Sequence, residues 1–219
     1  MCAGHRKGRS GIGGPLISFE GIDGSGKSTQ IAMLKKRLEA LGHAVVVVRE
    51  PGGTPLSEKI RDLLLNPGSS SMDARTETLL FSAARAQLVQ EVIIPARERG
   101  DIILCDRFAD STLAYQGYGR ELPLEEIITT QELATSRLSP NLTVLLDLAV
   151  EETEGRLQST QPDRMERAGK AFMQRVRDGY LKLAQADPDR WLVIDATQEI
   201  EPIAREIETY VVQRIVIRS

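Results

Sequence analysis

The sequence predicts an α/β protein, a three-layer α/β/α sandwich around a five-stranded parallel sheet. Five short apolar runs rich in branched residues recur along the chain, at residues 16–19, 44–48, 102–105, 143–146 and 192–194. Longer stretches with helical spacing separate them. A run that is apolar throughout reads as a strand covered on both faces, and such strands joined through helices form right-handed βαβ units. A glycine-rich turn directly follows the first run, at the carboxyl end of a strand, where sheets of this kind bind their ligands.

Composition bounds the rest. The chain has 219 residues, 27% charged and 41% hydrophobic, with a formal net charge of −3. At roughly 150 residues per domain, that length fits one large domain. Cys2 and Cys105 are too few for a disulfide framework, which points to a reducing, cytoplasmic setting. No stretch approaches the roughly 20 apolar residues of a membrane span. A slightly acidic chain also lacks the basic surface that coats nucleic acid, so neither a membrane nor a nucleic acid is expected as a partner. Residues 1–14 carry His5, Arg6, Lys7 and Arg9 among glycines, with no apolar run. They are expected to form a disordered basic tail ahead of a single domain at 15–219.

The helices follow from spacing and caps. Ile31, Leu34, Leu38 and Leu41 form one stripe, closed by Gly42 as a C-terminal cap. Thr54 before Pro55 reads as an N-cap with proline at the first helical position, opening a helix that carries Arg61. Asp73 caps a long helix bearing Leu79, Leu80, Ala83, Ala84 and Leu88, which Pro95 is expected to end or kink before Gly100. Ile200, Ile203, Ile207, Val211 and Ile215 line a final amphipathic helix.

The turn after the first strand reads Gly21-Ile22-Asp23-Gly24-Ser25-Gly26-Lys27-Ser28, followed by Thr29 and a helix. This is G-x-x-x-x-G-K-[ST] in its required strand–loop–helix setting, and it narrows the fold to the P-loop NTPase type. The glycines let backbone N–H groups curl around phosphate oxygens, and the helix N-terminus adds partial positive charge. Lys27 would reach the β- and γ-phosphates of ATP, and the Ser28 hydroxyl would bind Mg2+.

Three classes of protein share this loop. A GTPase switch needs Asn-Lys-x-Asp, which is absent, and an Asp-x-x-Gly after a strand, whose only instance lies inside the loop itself. A motor or assembly ATPase usually carries an acidic pair at the end of its Walker-B strand; here residues 102–105 run into Asp106-Arg107. A guanidinium at that rim suits a second phosphate opposite the loop, although an Asp–Arg pair also braces loops. The second strand ends in Arg49-Glu50-Pro51-Gly52-Gly53-Thr54. There Glu50 suits a sugar hydroxyl or a metal-bound water, unless the segment is merely a turn. After Arg107 the hydroxyls, amide and phenol of Ser111, Thr112, Gln116 and Tyr115 suit a base and sugar.

At this point the chain resembles the thymidylate kinases, nucleoside monophosphate kinases that make dTDP from dTMP and ATP on the way to dTTP. The bacterial form fits best. The resemblance rests on the P-loop with its acid at Asp23, on Arg-Glu-Pro-Gly-Gly-Thr and on Leu80-Phe81-Ser82-Ala83-Ala84-Arg85. Asp106-Arg107-Phe108 with the segment to Gly117, and Asp163-Arg164-Met165-Glu166, complete it. It implies that Phe81 stacks on thymine and Arg85 donates to its O4. Thr112 and Gln116 would contact the base, Ser111 would line the pocket, and Tyr115 would crowd C2′ and so select deoxyribose. Arg107 and Arg61 would hold the acceptor phosphate. Asp23 and Glu50 would stand near the 3′-hydroxyl and the ion-bound water, with Asp106 also a carboxylate for that water.

The resemblance further implies a homodimer and a short lid at about residues 156–168, with a polar closing loop at 158–163. Some family members keep an arginine in the P-loop. This loop has none, so Arg156, Arg164 and Arg167 are the lid candidates for stabilising the transferred group, Arg164 first because it sits in Asp-Arg-x-Glu. Phe108 stands where the family commonly has tyrosine or histidine. The adenine end is assigned by analogy to Asp195-Ala196-Thr197-Gln198. Other nucleoside monophosphate or deoxynucleoside kinases, and a non-catalytic nucleotide switch, are the alternatives.

Overall fold

The computed structural model describes residues 13–153, 155–156 and 163–216. Most of the expected basic tail and of the closing loop at 158–163 therefore lies outside the described residues. Gly13 and Gly14 are within them. Gly14 donates its N–H to the Arg97 carbonyl at 2.8 Å and accepts from Arg97 Nε at 2.8 Å, which ties it to the end of the helix before the third strand.

Five parallel strands form one sheet: β1 Leu16–Glu20, β2 Val45–Arg49, β3 Ile102–Asp106, β4 Leu142–Asp147 and β5 Trp191–Asp195. Their order is β2-β3-β1-β4-β5. The chain leaves β1 toward one edge and later crosses to the other, so a crevice opens at the carboxyl ends of β1, β3 and β4. Each strand runs one residue beyond its apolar run, onto Glu20, Arg49, Asp106, Asp147 or Asp195, because backbone pairing continues where the side chain turns polar. The register sets Phe19 beside Asp106 and Arg49 beside Asp106, bringing the polar ends to one rim. Only the inner strands are buried on both faces; Val47 and Val193 on the edge strands are 44% and 45% exposed.

Helices cover both faces. They are α1 Lys27–Ala40, α2 Pro55–Leu65, α3 Ala74–Leu88, α4 Ile94–Glu98, α5 Ala109–Thr112, α6 Leu124–Ala134, α7 Lys170–Ala186 and α8 Ile200–Val211. One apolar cluster joins the sheet to α1, α7 and α8 through Leu34, Leu38, Val176 and Ile207. The other joins the opposite face to α3 and α4 through Leu88, Ile93 and Ala96. Thr54 caps α2 by accepting from the Ser57 N–H at 3.1 Å, and Asp73 caps α3 by accepting from the Arg75 N–H at 2.9 Å. These are the satisfied donors that the sequence calls for.

Several expectations change. Leu41 and Ile200 are exposed, Leu41 because α1 ends at Ala40 before the stripe completes. The side chain of Ile215 lies outside the described residues. Pro95 does not stop the long helix. A wider turn, Val89–Ile93, carries the Ile94 N–H to the Val89 carbonyl, and α4 restarts with the proline in its first turn, where a missing N–H is harmless. The face of α3 is also shifted: Ala84 and Leu88 are buried as expected, but Leu79 is 60% exposed, while Glu77, Thr78, Ser82 and Arg85 are buried. Helices α6 and α7 fill stretches between strands for which the sequence reading names no apolar stripe or cap.

Candidate active site

The glycine loop follows β1 directly. Gly21 approaches β4 so closely that a Cβ would meet the Leu146 carbonyl oxygen at 2.5 Å. Gly26 at φ 93° stands at the N-cap of α1 and offers no side chain, leaving the first-turn N–H groups open to a ligand. Lys27 folds back over the loop, donating to the carbonyls of Gly21 at 3.0 Å and Ile22 at 3.1 Å. Burial, then Arg107, pushes its ammonium down to about 8, with Asp23, Asp106 and Glu20 opposing. Ser28 Oγ donates to Asp106 Oδ2 at 3.1 Å. Ser25 Oγ is buried without a partner.

Across the mouth of the loop stands Arg107. Its backbone takes φ 70°, a sparsely populated conformation for a side-chain-bearing residue, and its N–H is held by the Phe19 carbonyl at 3.0 Å. Its Nη2 donates to Asp23 Oδ1 at 2.7 Å, and the guanidinium lies 5.1 Å over the Tyr115 ring. Burial alone raises the Asp23 carboxyl, but Arg107 and Lys27 outweigh it and hold that carboxyl at about 2. Asp23 therefore stays ionised between two cations.

Both lie in one cleft of about 550 Å³. Gly24, Gly26, Lys27, Ser28 and Thr29 form its loop side, with Gly21 and Ser25 buried at the base. Its other wall holds Glu50, Arg61, Phe81, Arg85, Asp106 and Arg107, and Ser111, Thr112, Tyr115 and Gln116 close the far end. Arg61 donates to the Pro51 carbonyl at 2.9 Å. Phe81 is half-buried, leaving part of its ring to the cleft. Gln116 donates to Glu77 Oε1 at 2.7 Å. The Tyr115 hydroxyl is buried without a partner, and burial pushes its pKa up.

Arg85 is committed inward. Its Nε donates to Glu50 Oε2 at 2.7 Å, Nη1 to Thr112 Oγ1 at 2.8 Å and to Gln131 Oε1, and Nη2 to the Phe108 carbonyl at 2.9 Å. Four of its five N–H groups are so used, and Nη2 also lies 2.6 Å from Glu50 Oε2, which ties the guanidinium to this network. Burial raises the Glu50 carboxyl and Arg85 opposes that; Glu50 Oε1 has no partner of its own. Phe108 is fully buried in the apolar cluster beside α3, with Arg85 5.6 Å over its ring, so its side chain serves packing.

The lid expectation needs correction. Arg164 is 7% exposed and turned away from the cleft. Its Nε donates to the Leu64 carbonyl at 2.7 Å and Nη1 pairs with Glu77. The cause is Glu77, fully buried on α3, which must collect cationic and donor partners and takes Arg164, Arg120 and Gln116. Arg164 and Arg167 line a second cavity of about 600 Å³ beside the start of α3. Arg156 does line the cleft, and donates to the Ala196 carbonyl at 2.9 Å. Asp195-Ala196-Thr197-Gln198 is not part of the cleft wall; it is tied to it through Arg156.

Sequence reasoning missed Glu20, Glu77, Gln131 and Tyr180. Glu20, a charge ending a buried strand next to the loop, carried a visible signal. Glu77, Gln131 and Tyr180 lie within helices and carried none. Burial, then Asp110, raises the Glu20 carboxyl to about 7 against Ser111, Arg107 and Tyr180.

A parallel sheet whose first strand enters a helix through this loop defines a P-loop nucleotide-binding protein, and an arginine facing the loop across one cleft places it with the nucleotide kinases. The family follows from comparison with known proteins. A family model described as "Thymidylate kinase" matches residues 19–207. A thymidylate kinase of Deinococcus radiodurans is 50% identical over 204 residues, covering 92% of this chain and 98% of the relative. That of Pelobacter propionicus is 47% identical over 207 residues, covering 91% and 94%. A crystal structure of thymidylate kinase from Ehrlichia chaffeensis superposes with a TM-score of 0.74 at 35% identity, over 92% of this chain and 99% of that one. The chain belongs to the thymidylate kinase family.

Proposed function

We propose that the protein transfers the γ-phosphoryl group of ATP to dTMP, forming ADP and dTDP for dTTP synthesis. The observation that carries this reading is the single cleft in which Arg107, 2.7 Å from Asp23, faces the glycine loop, with the half-buried Phe81 on the same wall. The loop N–H groups, the open end of α1 and Lys27 take the donor phosphates. Arg107 and Arg61 take the acceptor phosphate, so the two reacting groups meet between opposed cations. Asp23 keeps Arg107 aligned until the phosphate arrives.

Phe81 stacks on the base, a contact worth roughly 1–3 kcal/mol, with Thr112, Gln116 and Arg85 at its edge and Ser111 in the pocket. Tyr115 stands by the sugar. Glu50 offers its unpartnered Oε1 to a 3′-hydroxyl or an ion-bound water. Arg156 supplies cationic charge from the lid side. The acceptor phosphate is ionised at neutral pH and needs no general base.

The Ser28 hydroxyl and Asp106 carboxylate, 3.1 Å apart, are hard oxygen donors that fit Mg2+ held jointly with phosphate oxygens and water. Bound there, Mg2+ neutralises charge on the donor phosphates. We further propose a cytoplasmic protein that acts as a homodimer. Among the described residues no helix is long and apolar enough to cross a membrane. Leu56 and Leu63, seven apart on α2, are 50% and 55% exposed, and Leu79 on the neighbouring α3 is 60% exposed, which supports an apolar face for a second copy.

A coupled ADP-release assay with dTMP, dUMP, UMP, dCMP and AMP tests the reading. Preference for dTMP is expected. Preference for another acceptor overturns the pocket assignment, and no turnover with any of the five favours a nucleotide switch.

A further inference from the structure

Beneath the acceptor side lies a carboxylate that the reaction above does not use. Glu20 ends β1, is completely buried and immediately precedes the glycine loop. Three donors converge on it. The Phe108 N–H meets Oε1 at 2.8 Å, and the hydroxyls of Ser111 and Tyr180 meet Oε2 at 2.5 Å and 2.8 Å. Ser111 Oγ and the Tyr180 hydroxyl oxygen are themselves 2.8 Å apart, so with Oε2 they close a triangle of three oxygens. Arg107 Nη1 approaches the two hydroxyl oxygens from outside the triangle, at 3.3 Å from Tyr180 and 3.5 Å from Ser111.

Counting protons fixes the polarity of this arrangement. Above about pH 7, where Glu20 is ionised, its carboxylate brings none, and each hydroxyl brings one with two lone pairs. Both hydroxyl protons are used inside the triangle, so the lone pairs left over face the guanidinium. An amide at position 20 must keep its oxygen on the Phe108 N–H and turn its NH2 into the triangle. Four protons then compete for three edges, and at least one hydroxyl proton is forced out against the donors of Arg107.

We propose that Glu20 is a positioning residue for the acceptor phosphate, acting through the hydroxyls of Ser111 and Tyr180 to hold the guanidinium of Arg107 opposite the glycine loop. The backbone supports the same role. Phe108, whose N–H Glu20 accepts, directly follows Arg107, so one carboxylate grips both the strained turn and the side chain it presents. The remaining neighbours leave Glu20 to this task. Asp110, the acid that acts on Glu20 electrostatically, is spent on Arg190 at 2.6 Å and Thr143 at 3.0 Å, and Lys27 on the loop carbonyls. The inference rests on the proposed assignment of Arg107 to an acceptor phosphate.

Glu20→Gln in the full chain, with steady-state kinetics varied in each substrate, is the test. The expected result is a KM for dTMP raised roughly tenfold or more, the scale of a misdirected buried hydrogen bond. The KM for ATP stays within about twofold, since the loop and α1 are untouched. Tyr180→Phe, which removes one hydrogen-bond acceptor from Arg107 without adding a proton, is expected to raise the same constant by a smaller factor. Equal changes in both KM values, or none, identify Glu20 as a purely structural group and overturn the proposal. If Glu20→Gln does not fold, Tyr180→Phe alone decides by the same split. Should the wild-type protein prefer another acceptor nucleotide, the split is read with that nucleotide, so the two readings fail separately.

Discussion

Arg107 spans the mouth of the cleft to set its Nη2 2.7 Å from Asp23, a residue of the very loop it faces, while Lys27 Nζ lies 3.9 Å from the same carboxylate oxygen. One carboxylate thus spaces the donor-side and acceptor-side cations before either substrate is present. In the folded protein Asp23 titrates at about 2 rather than 3.8. Between those values the unfolded chain binds more protons than the native one, so acid opposes folding there. The contribution is fully present above about pH 4 and is lost as the pH falls toward 2. Acid unfolding of Asp23→Asn, followed by circular dichroism, should be shallower than wild type across that window, and its turnover of dTMP should fall.

Lys27 predicts a proton linkage. Its pKa of about 8 in the free protein rises when anionic phosphates bind beside it. ATP binding above pH 8 should therefore take up a proton, and affinity should decline as the pH rises through 8 while staying flat below it. Titration calorimetry at pH 8.5 in two buffers of different ionisation enthalpy measures the uptake. Lys27→Met should abolish it.

Arg164 should behave as a fold-stabilising residue. Arg164→Ala leaves Glu77 buried with Arg120 and Gln116 alone, at a cost of about 1–3 kcal/mol. Arg156→Ala should spare stability and lower kcat more. Thermal melts and kinetics of both variants check this; an unchanged Tm with lost turnover in Arg164→Ala restores it to the catalytic role.

Arg85→Met strands the Glu50 carboxylate in the interior and should destabilise the protein by about 3–5 kcal/mol in urea unfolding. Adding Glu50→Gln to it should recover part of the loss, because the uncompensated charge is then gone.

Phe81 is half-buried, so Phe81→Ala should cost little stability yet weaken dTMP binding by roughly 1–3 kcal/mol in calorimetry. Unchanged dTMP affinity would remove the ring from the base site.

Much of this arrangement was legible from residues in order. The strands, the Thr54 and Asp73 caps and the loop follow from local chemistry, and Arg107 from its place after a strand. The face of α3 was not, because helical spacing reports where apolar residues cluster but not which side is covered. Leu79 groups with the apolar residues of α3 and is exposed; Glu77, which no motif singles out, is buried, and Arg85, read as a base contact, is buried in its own network of acceptors. Arg164 was misread for a related reason. Its motif gives a charge at the lid, whereas its direction is set by Glu77, 87 residues away in sequence. Pro95 was expected to end or kink the helix; the wider turn just before it, invisible in the sequence, accommodates the proline, and the helix still ends before Gly100.

The central claim is that donor and acceptor anion sites share one cleft. Adenosine and thymidine joined 5′ to 5′ through five phosphates test it most directly by calorimetry. Two sites facing each other should bind this compound roughly 10²–10⁴ times more tightly than the better of ATP and dTMP, and Arg107→Met should remove most of that gain. Affinity no greater than that of the better single nucleotide contradicts the account.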